Sequence, residues 1–204
     1  FWRQALAGLS QEPAPPRERD NTARFQLAPA DWEGLKLRAR ALQTSPFVLA
    51  MAAMFRALGP GDRVISTALA SRDPSDPGAS VVVGPLARAL PVRVQGSATV
   101  DAVAAALGQA AAHAQAAPAD VLAAAGGQGL AKLGRYFLSW MDPSAVPRPP
   151  SRARPDWAAG RYHFATRSTD TELMVGAMVQ DGLHLDLHGG AIVEGVARRL
   201  EVEL

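Results

Sequence analysis

The chain has no cysteine, which excludes disulfides, thiol catalysis and thiolate-held metals at once. It also lacks a strong charge of either sign. Its 21 Lys and Arg stand against 19 Asp and Glu, for a net +2, without the basic excess a nucleic-acid surface needs. One stretch, Arg148 to Arg161, is locally basic but Pro-rich, with Trp157 the aromatic among its arginines; it reads as a solvated loop. No run approaches the ~20 apolar residues that span a bilayer, so neither nucleic acid nor membrane is expected as a partner. The first residues form an amphipathic segment and not a charged region followed by an apolar one, so no signal peptide is read and a cytoplasmic location is expected. No Met precedes Phe1, and the chain is expected to be a piece of something longer.

What is present suits a folded protein. Hydrophobic residues make up 48% and charged residues 20% of 204, enough apolar material for the core of one ordinary domain or one large lobe. Trp2 to Leu9 reads as a short helix stopped by Gly8, and Gln11 to Asp20 as a linker. Arg24 to Leu27 alternates and suits a strand. Asp31 is placed to cap a helix reaching Leu42, with Trp32, Leu35, Leu37 and Leu42 as its apolar side. Ser45-Pro46 starts a second helix, Phe47 to Leu58, because Ser accepts from free amides and Pro fits the first turn. That helix is apolar nearly all round and should be buried on most faces.

Val64 to Ala70 reads as a strand, Arg72 to Ser80 as a loop, and Leu90 to Val94 as a strand whose Pro91 argues for an edge. Thr99 caps an Ala-rich helix to about His113, and a further helix covers Ala119 to Ala125. Tyr136 to Met141 is a strand, and Asp142 to Gly160 a long irregular segment. Three strands follow, near Tyr162 to Thr166, Glu172 to Val179 and Gly182 to His188, with turns at Asp170 and Asp181-Gly182. Ala191 to Leu204 closes as an amphipathic helix. Helices beside a mixed, mostly antiparallel sheet predict a two-layer α/β sandwich.

Candidates for chemistry are sparse. The four histidines are 113, 163, 184 and 188. His184, Asp186 and His188 would share one face of a strand; this is a metal or acid–base spacing, but also the polar side of any half-buried strand opposite Leu183, Leu185 and Leu187. Gly126-Gly127-Gln128-Gly129 lacks the Lys-Ser/Thr of a phosphate loop and reads as a plain loop. Asp73-Pro74-Ser75-Asp76-Pro77 is a weak cation motif, and no Ser has a nucleophile-elbow context. No complete catalytic constellation is present, and no metal site is assigned.

Four segments, in order, resemble the condensation domains of nonribosomal peptide synthetases. Phe1-Trp2-Arg3-Gln4-Ala5-Leu6 is similar to the family's Tyr-Trp-x-x-x-Leu helix. Thr44-Ser45-Pro46-Phe47 through Leu58, then Asp62 to Arg72, resembles its buried helix and the strand that ends in Arg. Val83-Gly84-Pro85-Leu86-Ala87-Arg88-Ala89-Leu90-Pro91-Val92-Arg93 looks like the Ile/Val-Gly-x-Phe-Val-Asn-Thr-Leu-x-x-Arg motif, with Arg88 for the usual Asn and Ala89 for the usual Thr. Gln115-Ala116-Ala117-Pro118-Ala119-Asp120 is similar to Gln-Asp-x-Pro-Phe-Glu, with Ala116 for Asp and Ala119 for Phe. The His-His-x-x-x-Asp-Gly motif of the family's first lobe matches no segment.

The resemblance implies one lobe of the chloramphenicol-acetyltransferase-like fold, the C-terminal half of a condensation domain over 1–204. Residues 1–22 would be the helix and linker from the preceding lobe, and 142–160 a long irregular loop. It further implies amide-bond formation between carrier-protein-tethered donor and acceptor. This lobe would supply a tunnel wall and no catalytic residue, so the chain by itself is expected to be inactive. Tunnel candidates are Ser66, Thr67, Gly84, Pro85, Leu86 and Arg88; Arg72, Arg93, Gln115 and Pro118 belong to the structural motifs, with the two arginines suited to anchoring loops. No cofactor would be bound directly, the phosphopantetheine arms arriving on peptidyl or acyl carrier proteins. The N-terminal lobe is the other expected partner, and the exposed lobe interface is expected to favour self-association. Two alternatives stay open: a non-catalytic lobe that docks carrier proteins or recruits another enzyme, and an epimerising or ester-forming relative.

Overall fold

A computed structural model describes residues 1–9, 21–70, 87–126, 129–142 and 171–204. Among these the chain runs α1 (Trp2–Ala5), β1 (Asn21–Leu27), α2 (Pro29–Ala41), α3 (Pro46–Ala57), β2 (Arg63–Ala70), β3 (Ala87–Val94), α4 (Val100–Ala112), α5 (Pro118–Ala124), α6 (Gly129–Leu133), β4 (Tyr136–Met141), β5 (Leu173–Val179), β6 (Leu183–Gly189) and α7 (Val193–Glu203). The strands form one sheet in the order β1-β6-β5-β4-β2-β3. The β1–β6, β5–β6 and β2–β3 pairs are antiparallel, while β2–β4 and β4–β5 are parallel. The sheet is therefore mixed, with antiparallel pairs in the majority. Pro91 lies on β3, at the sheet edge, where its missing N–H breaks no ladder on the open side.

The core is organised around α3. Ser45 Oγ accepts from the Val48 amide at 3.3 Å and Pro46 opens the first turn, so the helix starts where cap and ring chemistry place it. Nine of its twelve residues are buried, as an all-round apolar sequence requires. Trp140 of β4 meets Trp32 of α2 at 6.3 Å and Phe47 of α3 at 5.8 Å between ring centroids, which places both helices over one face of the sheet. Arg199 of α7 donates to the Ala57 carbonyl at 2.6 Å, and Arg56 pairs with Glu203 at 2.5 Å, so α7 lies beside α3 in the same layer. On the other face, short helices lie against β2 and β3: Arg93 donates to the carbonyls of Ala5 and Ala7, and Ser66 to that of Leu133.

β6 shows the expected alternation. Leu183, Leu185 and Leu187 are at most 2% exposed, with His184, Asp186 and His188 between them half-buried. At its end Gly189 is obligatory, since a Cβ there would sit 2.1 Å from the Glu172 carbonyl oxygen. Gly182, in the β5–β6 turn, has φ +129, and a Cβ would lie 2.6 Å from the Leu27 oxygen.

Several expectations need correction. Ala28, not Asp31, is the N-cap of α2, and it makes no side-chain cap; Pro29 starts the helix and Asp31 sits in its first turn. Leu37 and Leu42 are 62% and 48% exposed, and Ala39 is buried in their stead, because the stripe over the sheet runs through Trp32, Leu35 and Ala39 at helical spacing. The first helix ends at Ala5 and not at Gly8. β1 starts at Asn21, two residues inside the segment read as linker. Gly129 opens the short helix α6 and is not plain loop; a Cβ there would meet the Leu122 oxygen at 2.4 Å, so α6 is pressed against α5. The strand read at Tyr162 to Thr166, the turn at Asp170 and the loop from residue 143 to 160 lie outside the described residues.

Candidate functional site

Adjacent residues of β2 face opposite ways, and this separates Ser66 from Thr67. Ser66 pairs in register with Pro91 of β3 and Phe137 of β4. It is 3% exposed, and its hydroxyl donates to the Leu133 carbonyl at 2.5 Å, holding the end of α6 on the sheet. Thr67 pairs with Leu90 and Leu138 and donates to the Leu138 carbonyl at 2.7 Å, toward the helix layer. Both hydroxyls are thus used by backbone carbonyls, which is how a buried hydroxyl is made tolerable.

Ser66 borders an apolar cavity of about 280 Å³ that Trp2, Leu90, Pro91, Leu122 and Phe137 also line. Arg88 and Pro118 are in the same wall. Arg88 Nη1 donates to the carbonyls of Ala114 and Ala116, each at 3.3 Å, so the arginine standing at the usual Asn position ties β3 to the α4–α5 connection. Pro118 opens α5, while Gln115 is exposed in that connection. Trp2 Nε1 donates to the His113 carbonyl at 3.1 Å, and Phe1 stacks on the His113 ring at 4.0 Å. Arg93 grips Asp62 with two nitrogens, Nε to Oδ1 at 2.7 Å and Nη2 to Oδ2 at 2.5 Å, while Nη1 reaches Ala5 and Ala7 at 2.9 and 2.7 Å. One planar guanidinium thereby joins α1, the α3–β2 turn and β3. Gly84, Pro85, Leu86 and Arg72, with the Asp73 to Pro77 motif, lie outside the described residues.

The sequence therefore named Ser66, Arg88 and Pro118 of this cavity wall, with Trp2, Leu90 and Pro91 inside its motif segments, and missed the apolar residues outside those segments. Leu122, Leu133 and Phe137 come from two helices and a strand, and no local pattern links them. It also missed a polar cluster where β4 and β5 begin. Glu172 is 9% exposed and ion-paired with Arg135, and Arg135 lies over the Tyr136 ring at 5.3 Å. Burial of Tyr136, and then the Glu172 carboxylate beside it, push the phenol above its ordinary value; Arg135 and Arg63 pull the other way.

His184, Asp186 and His188 form the polar face of a strand. Asp186 is engaged by Arg24 at 2.8 Å, and His184 Nε2 lies 2.7 Å from the Gln180 carbonyl oxygen. No group of three or more His, Asp and Glu among the described residues is placed to hold a metal ion. No helix among them is long and apolar enough to cross a membrane.

No protein-family model matches the chain, and no curated protein does. Solved structures do. The X-domain of teicoplanin biosynthesis, in its complex with OxyB, matches at TM-score 0.72 and 22% identity, over 100% of this chain and 50% of that one. The first condensation domain of the CDA synthetase matches at TM-score 0.64 and 20% identity, over 99% of this chain and 49% of that one. The nonribosomal peptide synthetase FmoA3, bound to α-methyl-L-serine-AMP, matches at TM-score 0.77 and 20% identity, over 99% of this chain and 24% of the much longer one. The chain spans about a quarter of the FmoA3 structure, and about half of the X-domain and condensation-domain structures. In its mixed six-stranded sheet and helix layer, this chain has the fold of one condensation-domain-like lobe.

Proposed function

We propose that the chain is the C-terminal lobe of a condensation enzyme that joins two carrier-tethered substrates through an amide bond in nonribosomal peptide synthesis. One observation carries the reading. Four motif segments far apart in sequence come together on the β2–β3 side of the sheet: α1 is held by Arg93, Ser66 and Arg88 share a cavity wall, and Pro118 starts the helix that closes it. In this reading the amine of the acceptor attacks the thioester of the donor, the amide forms and the donor's thiol leaves. The histidines that assist would belong to the other lobe. This lobe contributes a wall, and holding two tethered reactants in attack geometry supplies much of the rate.

Carrier proteins would bring both substrates on phosphopantetheine arms, so the lobe itself would hold no cofactor. Its partners would be those carriers and the N-terminal lobe, in the cytoplasm, with self-association through the lobe interface where that partner is missing. The test is Ser66→Trp in the protein carrying both lobes. Single-turnover amide formation should fall by about tenfold or more with the circular dichroism spectrum unchanged, because the indole would project toward the cavity. Ser66→Ala, which removes only the bond to Leu133, should keep most of the turnover. Full activity in Ser66→Trp overturns the tunnel-wall reading.

A second reading is a non-catalytic lobe that docks carriers or recruits another enzyme. It is favoured by the likeness to an X-domain solved with OxyB and by Arg88, Ala89, Ala116 and Ala119 at departures from the motif. Saturable carrier binding without any single-turnover product would select it. The epimerising or ester-forming relative is told apart by the product formed.

A further inference from the structure

A second cleft, of about 410 Å³, lies at the start of β2, between the α3–β2 turn, the end of β3 and the first turn of α4. Phe55, Pro60 and Val94 give it an apolar wall, and Arg56 and Arg63 are its charged members. Arg56 is engaged, with Nε on Glu203 at 2.5 Å and Nη1 on the Ala98 carbonyl at 3.3 Å. Arg63 differs. Its Nε is closed off from solvent and has no hydrogen-bond acceptor, a costly state for a charged donor.

The surrounding carboxylates do not serve it. Asp62, next in sequence, gives both oxygens to Arg93. Glu172 is held by Arg135, and Glu203 by Arg56. Tyr136 stays a neutral phenol at physiological pH, its ionisation being disfavoured by burial. Arg199 of α7 is engaged on the Ala57 carbonyl, and Asp101 is exposed in the first turn of α4. At the rim Thr99 caps α4 by accepting from Ala102, and the positive end of that thirteen-residue helix adds to the same sign.

We propose that this cleft binds a small oxyanion carrying an apolar group, a phosphate monoester or a carboxylate, with Arg63 donating to the oxyanion and the Phe55–Val94 wall taking the apolar part. The site is independent of the condensation reading, since Arg63 starts β2 on the face opposite Ser66. Calorimetric titration of the purified protein with butyl phosphate and with butyrate, at constant chloride, tests it; uncharged butanol is the control. At least one anion should bind saturably at one site, and the tighter of the two identifies the headgroup. Arg63→Met, which keeps the aliphatic stem, should weaken that binding by about tenfold or more, as the loss of a charge-assisted hydrogen bond implies. Arg24→Gln, on the opposite edge strand, should leave it unchanged. Absence of saturation by both anions, equal binding of butanol, or unaltered affinity in Arg63→Met overturns the proposal. A readout on the unsubstituted protein covers the case in which Arg63→Met fails to fold: amide shifts on titration should centre on Gly61, Gly96 and Thr99, and shifts centred elsewhere overturn it.

Discussion

On the β1–β6–β5 flank of the sheet, leucines at 183, 185 and 187 face the helix layer and His184, Asp186 and His188 face away. On the β2–β3 flank, buried or half-buried polar side chains tie separate segments together: Ser66 holds α6, Thr67 the β4 backbone, Arg88 the α4–α5 connection and Arg93 the α1 turn. The first flank is held by apolar burial plus a regular ladder, each buried leucine contributing about 1.5–3 kcal/mol. The second is held by side chains that bond carbonyls from 26 to 88 positions away in sequence. Hydrophobic burial is non-directional and makes a wall. Hydrogen bonds are directional, and they keep separate segments around a cavity at a set distance.

The largest effect should come where the two flanks meet. Glu172→Ala leaves Arg135 without its carboxylate in a mostly buried site and should cost about 3–5 kcal/mol; a urea midpoint close to wild type would show that water already screens the pair. Next is a strike at the leucine flank. Gly189→Ala forces the β6 end away from the Glu172 carbonyl and should cost about 1–3 kcal/mol, with the loss of hydrogen-exchange protection confined to β5 and β6. A smaller loss, about 1 kcal/mol, is expected for Ser45→Ala at the α3 cap, and it should leave both flanks and the cavity intact. If thermal melts place Ser45→Ala above Gly189→Ala in cost, α3 and not strand contact sets stability.

The smallest effect lies in alkaline pH. The pKa of Tyr136 is raised in the folded state, so the native protein binds the phenolic proton more tightly than the unfolded chain does. The resulting stability is fully present below the unfolded value, about 10, and is lost as pH rises through the folded value. At neutral pH the charge state contributes no slope. Tyr136→Phe should remove the part of the alkaline decline that belongs to this group; identical pH profiles for the two proteins would show that the phenol is not shielded.

Local chemistry made much of the fold legible. Ser45-Pro46 and Thr99 start helices because a hydroxyl can accept from free amides a few residues on, and that geometry is written within a few residues. Strand period gave β4 its bounds and β6 its buried face. Asp31 misled because Pro29 two residues earlier is a good helix start even without a capping side chain. Leu37 and Leu42 misled because hydrophobicity shows that a helix has an apolar side, while only the position of the sheet decides which residues lie on it.

The candidate sites were legible in one part only. The motif resemblance pointed to Ser66, Arg88, Arg93 and Pro118, and to Trp2 through its first segment, but not to the Leu122, Leu133 and Phe137 that complete the cavity, nor to Arg63. What the sequence determined by itself was the class of every described element except α6, the buried helix, the edge strand at Pro91 and the exclusion of thiol chemistry, because these depend on spacing and residue type. The strand order, the division of Ser66 and Thr67 between two faces of the sheet, the pairing of Arg135 with Glu172 and the lack of an acceptor for Arg63 Nε were decided only by the tertiary structure. Each of these depends on which distant segments share a neighbourhood, and that follows from packing the whole chain at once.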